Sequence, residues 1–257
     1  MLDYIAMHII ELKYFAATVI FGITLLTGLL SVSFVKRYRR QLEIGDALAN
    51  GIFIGAGLFH LVPEAIDGFK QLPTNMVYLK TALLVLGSYF LFWVLEKILL
   101  RKVTSAQHQL HVIILIFILS IHAFIAGLTL GISEAVSLIS ILFVAILAHK
   151  GFETFAFVIN IYRQIGRGIQ LTILIILFAL ITPAGILLGM LSDSVLRLSV
   201  DNALTACFSA IAAGTFFYIG TTHTHHIRHP QDSHHQYIRV IATLIGVGAM
   251  GVIGIWI

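Results

Sequence analysis

Two apolar stretches of this chain each carry a histidine and a glutamate four residues apart. They are His149 and Glu153 in LAHKGFETFAF, and His60 and Glu64 in LFHLVPEAI. A third stretch, ILSIHAFIAGLTLGI, places His122 where the same spacing would end at Ala126. On an α-helix, residues i and i+4 lie one above the other, so each pair is expected to present imidazole nitrogen and carboxylate oxygen together. That donor set suits a borderline divalent metal. Ionisable groups are costly to keep in lipid and mark functional sites there. His122, His149 and Glu153 fall near mid-span of neighbouring segments, which makes them three candidate metal ligands at similar depth in a helix bundle. A lone histidine in a membrane more often donates to a neighbouring carbonyl. Two histidines with an acid that needs compensation favour the metal.

Lys150 follows His149 and points about 100° around the helix. A mid-membrane lysine must pair or reach water, and Glu153 at i+3 is its expected partner. His60 and Glu64 lie towards the outer end of their segment, where an entry site or gate competes with a plain interfacial hydrogen-bonded pair. Pro63 between them predicts a bent helix with a freed carbonyl. The stretch HTHHIRHPQDSHH carries His223, His225, His226, His229, His234 and His235, with His108 and His111 in another loop. Imidazoles at this density would catch a divalent ion leaving the pore, and a solvated polar loop is the equal alternative.

The elements that must position these residues are membrane helices. Of the 257 residues, 59% are hydrophobic and only 11% charged, and mean hydropathy is +0.99. A soluble domain is nearer one quarter charged. The chain is therefore expected to be an all-α integral membrane protein, in the plasma membrane or a bacterial inner membrane. About 20 apolar residues cross a bilayer. Eight segments qualify, roughly 12–35, 45–67, 77–100, 110–132, 136–161, 169–191, 201–222 and 237–257. They form one transmembrane domain, with residues 223–236 as a His-rich cytoplasmic loop.

Lys and Arg set the orientation. KRYRR at 36–40, Lys97, Arg101, Lys102, Arg163, Arg167, Arg228 and Arg239 fall on one side, against Lys13, Lys70, Lys80 and Arg197 on the other. Both termini are expected outside, with the basic loops in the cytoplasm. The N-terminal MLDYIAMHIIELKYF has no basic leader and does not read as a cleaved signal. The small-residue repeats Gly51/Gly55, Gly127/Gly131 and Gly246/Gly248/Gly251/Gly254 predict close helix approach, more as packing than as a sliding surface. The single Cys207 excludes a disulfide framework and a CxxC site. The net charge of +4 is spread over short loops, which argues against nucleic acid. No phosphate-binding GxxxxGK[ST] is present, which argues against ATP as the driving force.

Several motifs, in order, resemble the ZIP (Zrt/Irt-like) divalent metal transporters over nearly the full length. LFHLVPEA at 58–65 is similar to the second-helix HLLPEA, and HAFIAGLTLGI at 122–132 to the fourth-helix HxxxEGLALG. AHKGFE at 148–153 resembles the fifth-helix HKxxE, ITPAGILLG at 181–189 the sixth-helix PxGxxxG, and AAGTFFYIGTTH at 212–223 the seventh-helix AGTFLYV. The resemblance implies an eight-helix bundle that moves zinc, iron, manganese or cadmium into the cytoplasm, with a four-helix transport unit shifting against a scaffold. It implies His122, His149 and Glu153 as metal ligands, and homodimerisation in many members. Where most members have Glu, this chain has Ala126. Its position before the sixth-helix proline is Thr182, and His223 stands in place of a seventh-helix Glu. These departures leave a two-metal centre unsupported, so a single site favouring Zn²⁺ is expected, since losing a carboxylate hurts Mn²⁺ more. The metal is substrate; no prosthetic group and no catalytic residue are assigned.

Two other readings compete. One is an integral membrane metalloenzyme, a hydrolase or a desaturase-like protein, to which HTHH bears a superficial likeness. Such enzymes gather their histidine boxes on one membrane face, whereas His122 and His149 are predicted far from residues 223–235. The other is a metal sensor that no longer transports, suggested by Ala126.

Overall fold

The structure is a computed structural model that describes residues 2–37, 42–72, 75–99, 104–165, 168–191, 202–222 and 233–256. Eight helical runs account for nearly all of them. They are α1 (Leu2–Arg37), α2 (Leu42–Ala56, continuing through a π-turn at Gly57–Leu61 into Val62–Lys70), α3 (Val77–Leu99), α4 (Thr104–Ile132), α5 (Val136–Ile165), α6 (Ile169–Leu191), α7 (Asn202–Thr222) and α8 (Ser233–Trp256). Among the described residues, six helices contain stretches long and apolar enough to cross a bilayer: Met7–Val35, Glu43–Lys70, Val77–Leu95, Val136–Tyr162, Ile169–Leu191 and Gln236–Ile255. Ile116–Ile132 of α4 and Ala206–Thr221 of α7 are shorter apolar stretches. The described residues are thus nearly all helical, and the chain is a membrane protein.

Helices of this kind are apolar all round, because one face meets lipid and the other meets neighbouring helices. On α3, Leu83, Leu86, Phe90 and Leu91 are exposed, as are Leu244, Ile245 and Val252 on α8. In water such surfaces would aggregate; in a bilayer they are the solvated face. The inward residues form a core running through Phe53, Leu61, Leu119, Phe157, Phe178 and Tyr218.

The helices pack as two groups. α1, α4, α5 and α6 contact one another, while α2, α3, α7 and α8 form the other set, and the two meet chiefly where α2 faces α5 and α7 faces α4. Glycine sets the closeness inside each group. A Cβ on Gly127 or Gly131 of α4 would collide with the carbonyls of Thr182 or Ile186 on α6, and one on Gly185 or Gly189 of α6 would meet the backbone of α4 in return. Gly51 and Gly55 of α2 abut the backbone of α8 at Thr243 and Val247 in the same way. Two helix axes can approach this far only where neither carries a side chain at the crossing. The repeats Gly51/Gly55 and Gly127/Gly131 therefore pack helices within a group. Gly248, by contrast, has nothing within 4 Å of a Cβ position.

Lys13 of α1 is buried and donates to the Gly131 carbonyl at 2.7 Å. It caps the last turn of α4, whose final carbonyls have no intrahelical donor. α8 begins at Ser233, so His234 and His235 belong to its first turn rather than to a loop. His223, His225, His226 and His229 lie outside the described residues.

Candidate metal centre

α5 carries its polar cargo on the face turned inward. His149 is 5% exposed, Lys150 1% and Glu153 6%. The His149 Nδ1 lies 2.8 Å from the Ala145 carbonyl one turn back. A carbonyl only accepts, so Nδ1 carries the proton and the Nε2 lone pair is left for a ligand. The expected partner of Lys150 is in place: its Nζ is 3.1 Å from Glu153 Oε2. The same ammonium sits 4.4 Å over the Phe178 ring of α6, which adds a cation–π contact. Glu153 Oε1 is buried and has no hydrogen-bond donor.

His122 of α4 and His60 of α2 complete a cluster with His149. One ring nitrogen from each of the three lies within 4.8 Å of the others. Ring centroids are 4.6 Å apart for His60 and His149, 5.8 Å for His60 and His122, and 6.2 Å for His122 and His149. Nitrogens bound to one tetrahedral zinc stand about 3.4 Å apart, from Zn–N bonds near 2.05 Å. Small side-chain rotations would close that difference. Between the rings lies a cavity of about 10 Å³ that Glu153 also lines, with Phe53, Phe216 and Met250 among its apolar walls. That is room for one small ion or water.

The sequence sets His60 apart from His122 and His149, as an entry step or an interfacial hydrogen-bonded pair; the structure gathers it with them. The cause is the π-turn at Gly57–Leu61, in which the Val62 N–H donates to the Gly57 carbonyl. One extra residue in the turn rotates the two halves of α2 against each other, and such turns recur at functional sites. Pro63 two residues on cannot donate to the Phe59 carbonyl, which makes the wider turn easy to accept. The expected bend with a freed carbonyl therefore takes the form of a π-turn. The absence of a side chain at Gly254 leaves room for α8 beside that carbonyl.

The same turn separates the second pair. His60 lines the small cavity, whereas Glu64 lines a different chamber, so nitrogen and carboxylate do not face one space as the i, i+4 spacing predicts. Glu153 keeps its place beside His149 because α5 is regular there. Thr182 is 1% exposed on α6, its hydroxyl oxygen has no hydrogen-bond partner, and it does not line the histidine cavity. His223 falls outside the described residues.

Residues 101–254 match the profile of a protein family described as ZIP Zinc transporter. Among individual proteins, the chain is 24% identical over 233 residues to Zinc transporter ZIP2 of Mus musculus, covering 71% of this chain and 75% of that one. It is 23% identical over 287 residues to Zinc transporter 11 of Arabidopsis thaliana, covering 96% and 86% respectively. Against Zinc transporter 1 of Oryza sativa subsp. japonica, identity is 23% over 300 residues, with 96% and 84% covered.

Proposed function

This chain belongs to the ZIP family of zinc transporters, and on that premise we propose that it carries a divalent metal ion, Zn²⁺ foremost, into the cytoplasm through His60, His122, His149 and Glu153. The observation that carries this reading is the histidine triad, whose ligand nitrogens lie within 4.8 Å of one another across two helix groups. Three imidazole nitrogens and one carboxylate form a donor set that suits zinc better than manganese. The ion is cargo, bound without any prosthetic group, and Glu153 adds negative charge partly balanced by Lys150.

Movement into the cytoplasm is what the resemblance to the family implies, and the bias of Lys and Arg towards the loops after α1, α3, α5 and α7 is the reason to read those loops as cytoplasmic and both termini as outside. The family consists of transporters, so the metalloenzyme alternative falls. A sensor that binds metal without moving it is separated from a carrier by flux alone. Radiolabelled zinc uptake into proteoliposomes, with wild type beside His60→Ala and His149→Ala, tests the proposal. Uptake by wild type that both substitutions abolish is expected; equal uptake in all three would remove the triad from the mechanism.

A further inference from the structure

Beside the triad lies a larger chamber, about 140 Å³, between α2, α3, α4 and α7. Its polar lining is Glu64, His122 and Ser209; most of the rest is apolar, including Phe117, Ala126 and Ala212. Among the described residues, His122 is the one that borders both this chamber and the triad cavity. Glu64 Oε2 is buried and has no hydrogen-bond donor. A carboxylate oxygen held against apolar walls without a donor is unfavourable unless water or a cation meets it. The chamber has the volume for several waters, since one needs roughly 10–15 Å³ on the same measure.

The register of the helices fixes where this chamber sits. Glu64 is one turn beyond His60 on α2, and Ala126 is one turn beyond His122 on α4. On the antiparallel α7, Ser209 and Ala212 precede Phe216, which stands against His122 at 6.5 Å between ring centroids. All three helices therefore place Glu64, Ala126, Ser209 and Ala212 on one side of the triad, while Phe117 and Ile118 of α4 carry the chamber about one turn past His122 on the other. By the charge bias of the loops, the side of Glu64 is the outer one. Ala126 contributes only a methyl group to the wall, so the anionic group here comes from α2.

We propose that this chamber is a second metal station, in which Glu64 holds a hydrated divalent cation before it passes to the triad by way of His122. Divalent ions are readily held by one carboxylate while retaining water, and the apolar walls leave those waters exchangeable. Exchange at His122 then replaces water by imidazole, and the ion moves into the cavity of His60 and His149. This rests on the transport reading above.

Uptake kinetics in proteoliposomes with Zn²⁺ test it. Glu64→Gln keeps the shape of the side chain and removes its charge. It should raise the half-saturating zinc concentration roughly 10-fold to 100-fold, the usual cost of losing a supporting group at a metal site, with a smaller effect on maximal rate. Because Glu64 and Ala126 line one chamber, adding Ala126→Glu to Glu64→Gln should restore saturation towards the wild-type concentration. Ala212→Leu, which narrows the chamber while every histidine and acid is kept, should raise the half-saturating concentration as Glu64→Gln does. That variant decides the matter if the glutamine protein does not fold. Wild-type saturation in Glu64→Gln, or in well-folded Ala212→Leu, overturns the station. So does a double variant no better than the single one. The triad reading fails separately, by undiminished uptake in His149→Ala.

Discussion

His149 does two jobs with one ring: Nδ1 anchors to the Ala145 carbonyl at 2.8 Å, and that anchor aims Nε2 at the cavity. Glu153 is held through Oε2 by Lys150, and its buried Oε1 has no hydrogen-bond partner. Substituting His60 by Ala should cost at least roughly 100-fold in zinc uptake, since even supporting groups at metal sites cost 10- to 100-fold. Lys150→Met leaves Glu153 buried without its partner, which should cost about 3–5 kcal/mol, read as a lower melting temperature in detergent. Adding Glu153→Leu to that variant should recover most of the stability while uptake stays lost. Ala126→Glu in the otherwise native chain should shift competition towards Mn²⁺ against Zn²⁺; unchanged preference would mean that the missing carboxylate does not set selectivity.

Helix α2 shows how an element can redirect its own residues. Its π-turn sends His60 to the triad and Glu64 to the neighbouring chamber, although the spacing of four promises one shared face. Helices α4 and α6 show the opposite virtue, rigidity. Gly127 sits against the Thr182 carbonyl and Gly189 approaches the Leu128 carbonyl, at 2.7 Å from an added Cβ. Backbone cannot yield as a side chain can. Gly127→Ala should therefore force the helices apart and destabilise the protein by about 1–3 kcal/mol or more. Gly22→Ala and Gly87→Ala, with nothing within 4 Å of the new methyl, should be neutral or stabilise by up to about 1 kcal/mol through helix propensity. Thermal unfolding of the three proteins side by side checks the contrast. The close-packing role of Gly127 and Gly131 is legible from their spacing alone. Their partners are not, because nothing in a glycine repeat says which neighbour it admits.

At the scale of the molecule, the proposed metal centre straddles two helix groups. His122, His149 and Glu153 come from the α1, α4, α5 and α6 group, and His60 comes from the α2, α3, α7 and α8 group. Within groups, glycine brings backbone against backbone. Across the seam, a Cβ on Gly45 of α2 would lie 3.7 Å from the Ile159 side chain of α5, an ordinary contact. At that point the seam sets backbone against a side chain rather than backbone against backbone, and a shift along it would separate His60 from the other two rings. In a Cys207→Ser background, cross-linking Gly45→Cys to Ile159→Cys should halt zinc uptake, and cleaving the linker should restore it. Uptake that persists with the seam cross-linked would mean that the ion passes without relative movement of the groups.

Residue chemistry and helix count are determined by sequence, because both are local. An apolar run long enough to cross lipid must be helical there to satisfy its backbone, and a buried lysine three residues from a glutamate must find it. The pairing of Lys150 with Glu153 is therefore legible. The third histidine of the cluster is decided only by tertiary structure. Whether His60 meets His122 and His149 depends on how far α2 turns before it reaches α4 and α5. A π-turn changes that phase by more than any spacing rule can carry. The division into two groups is likewise settled by packing, since lipid gives every helix the same apolar signature and leaves close approach to choose its neighbours.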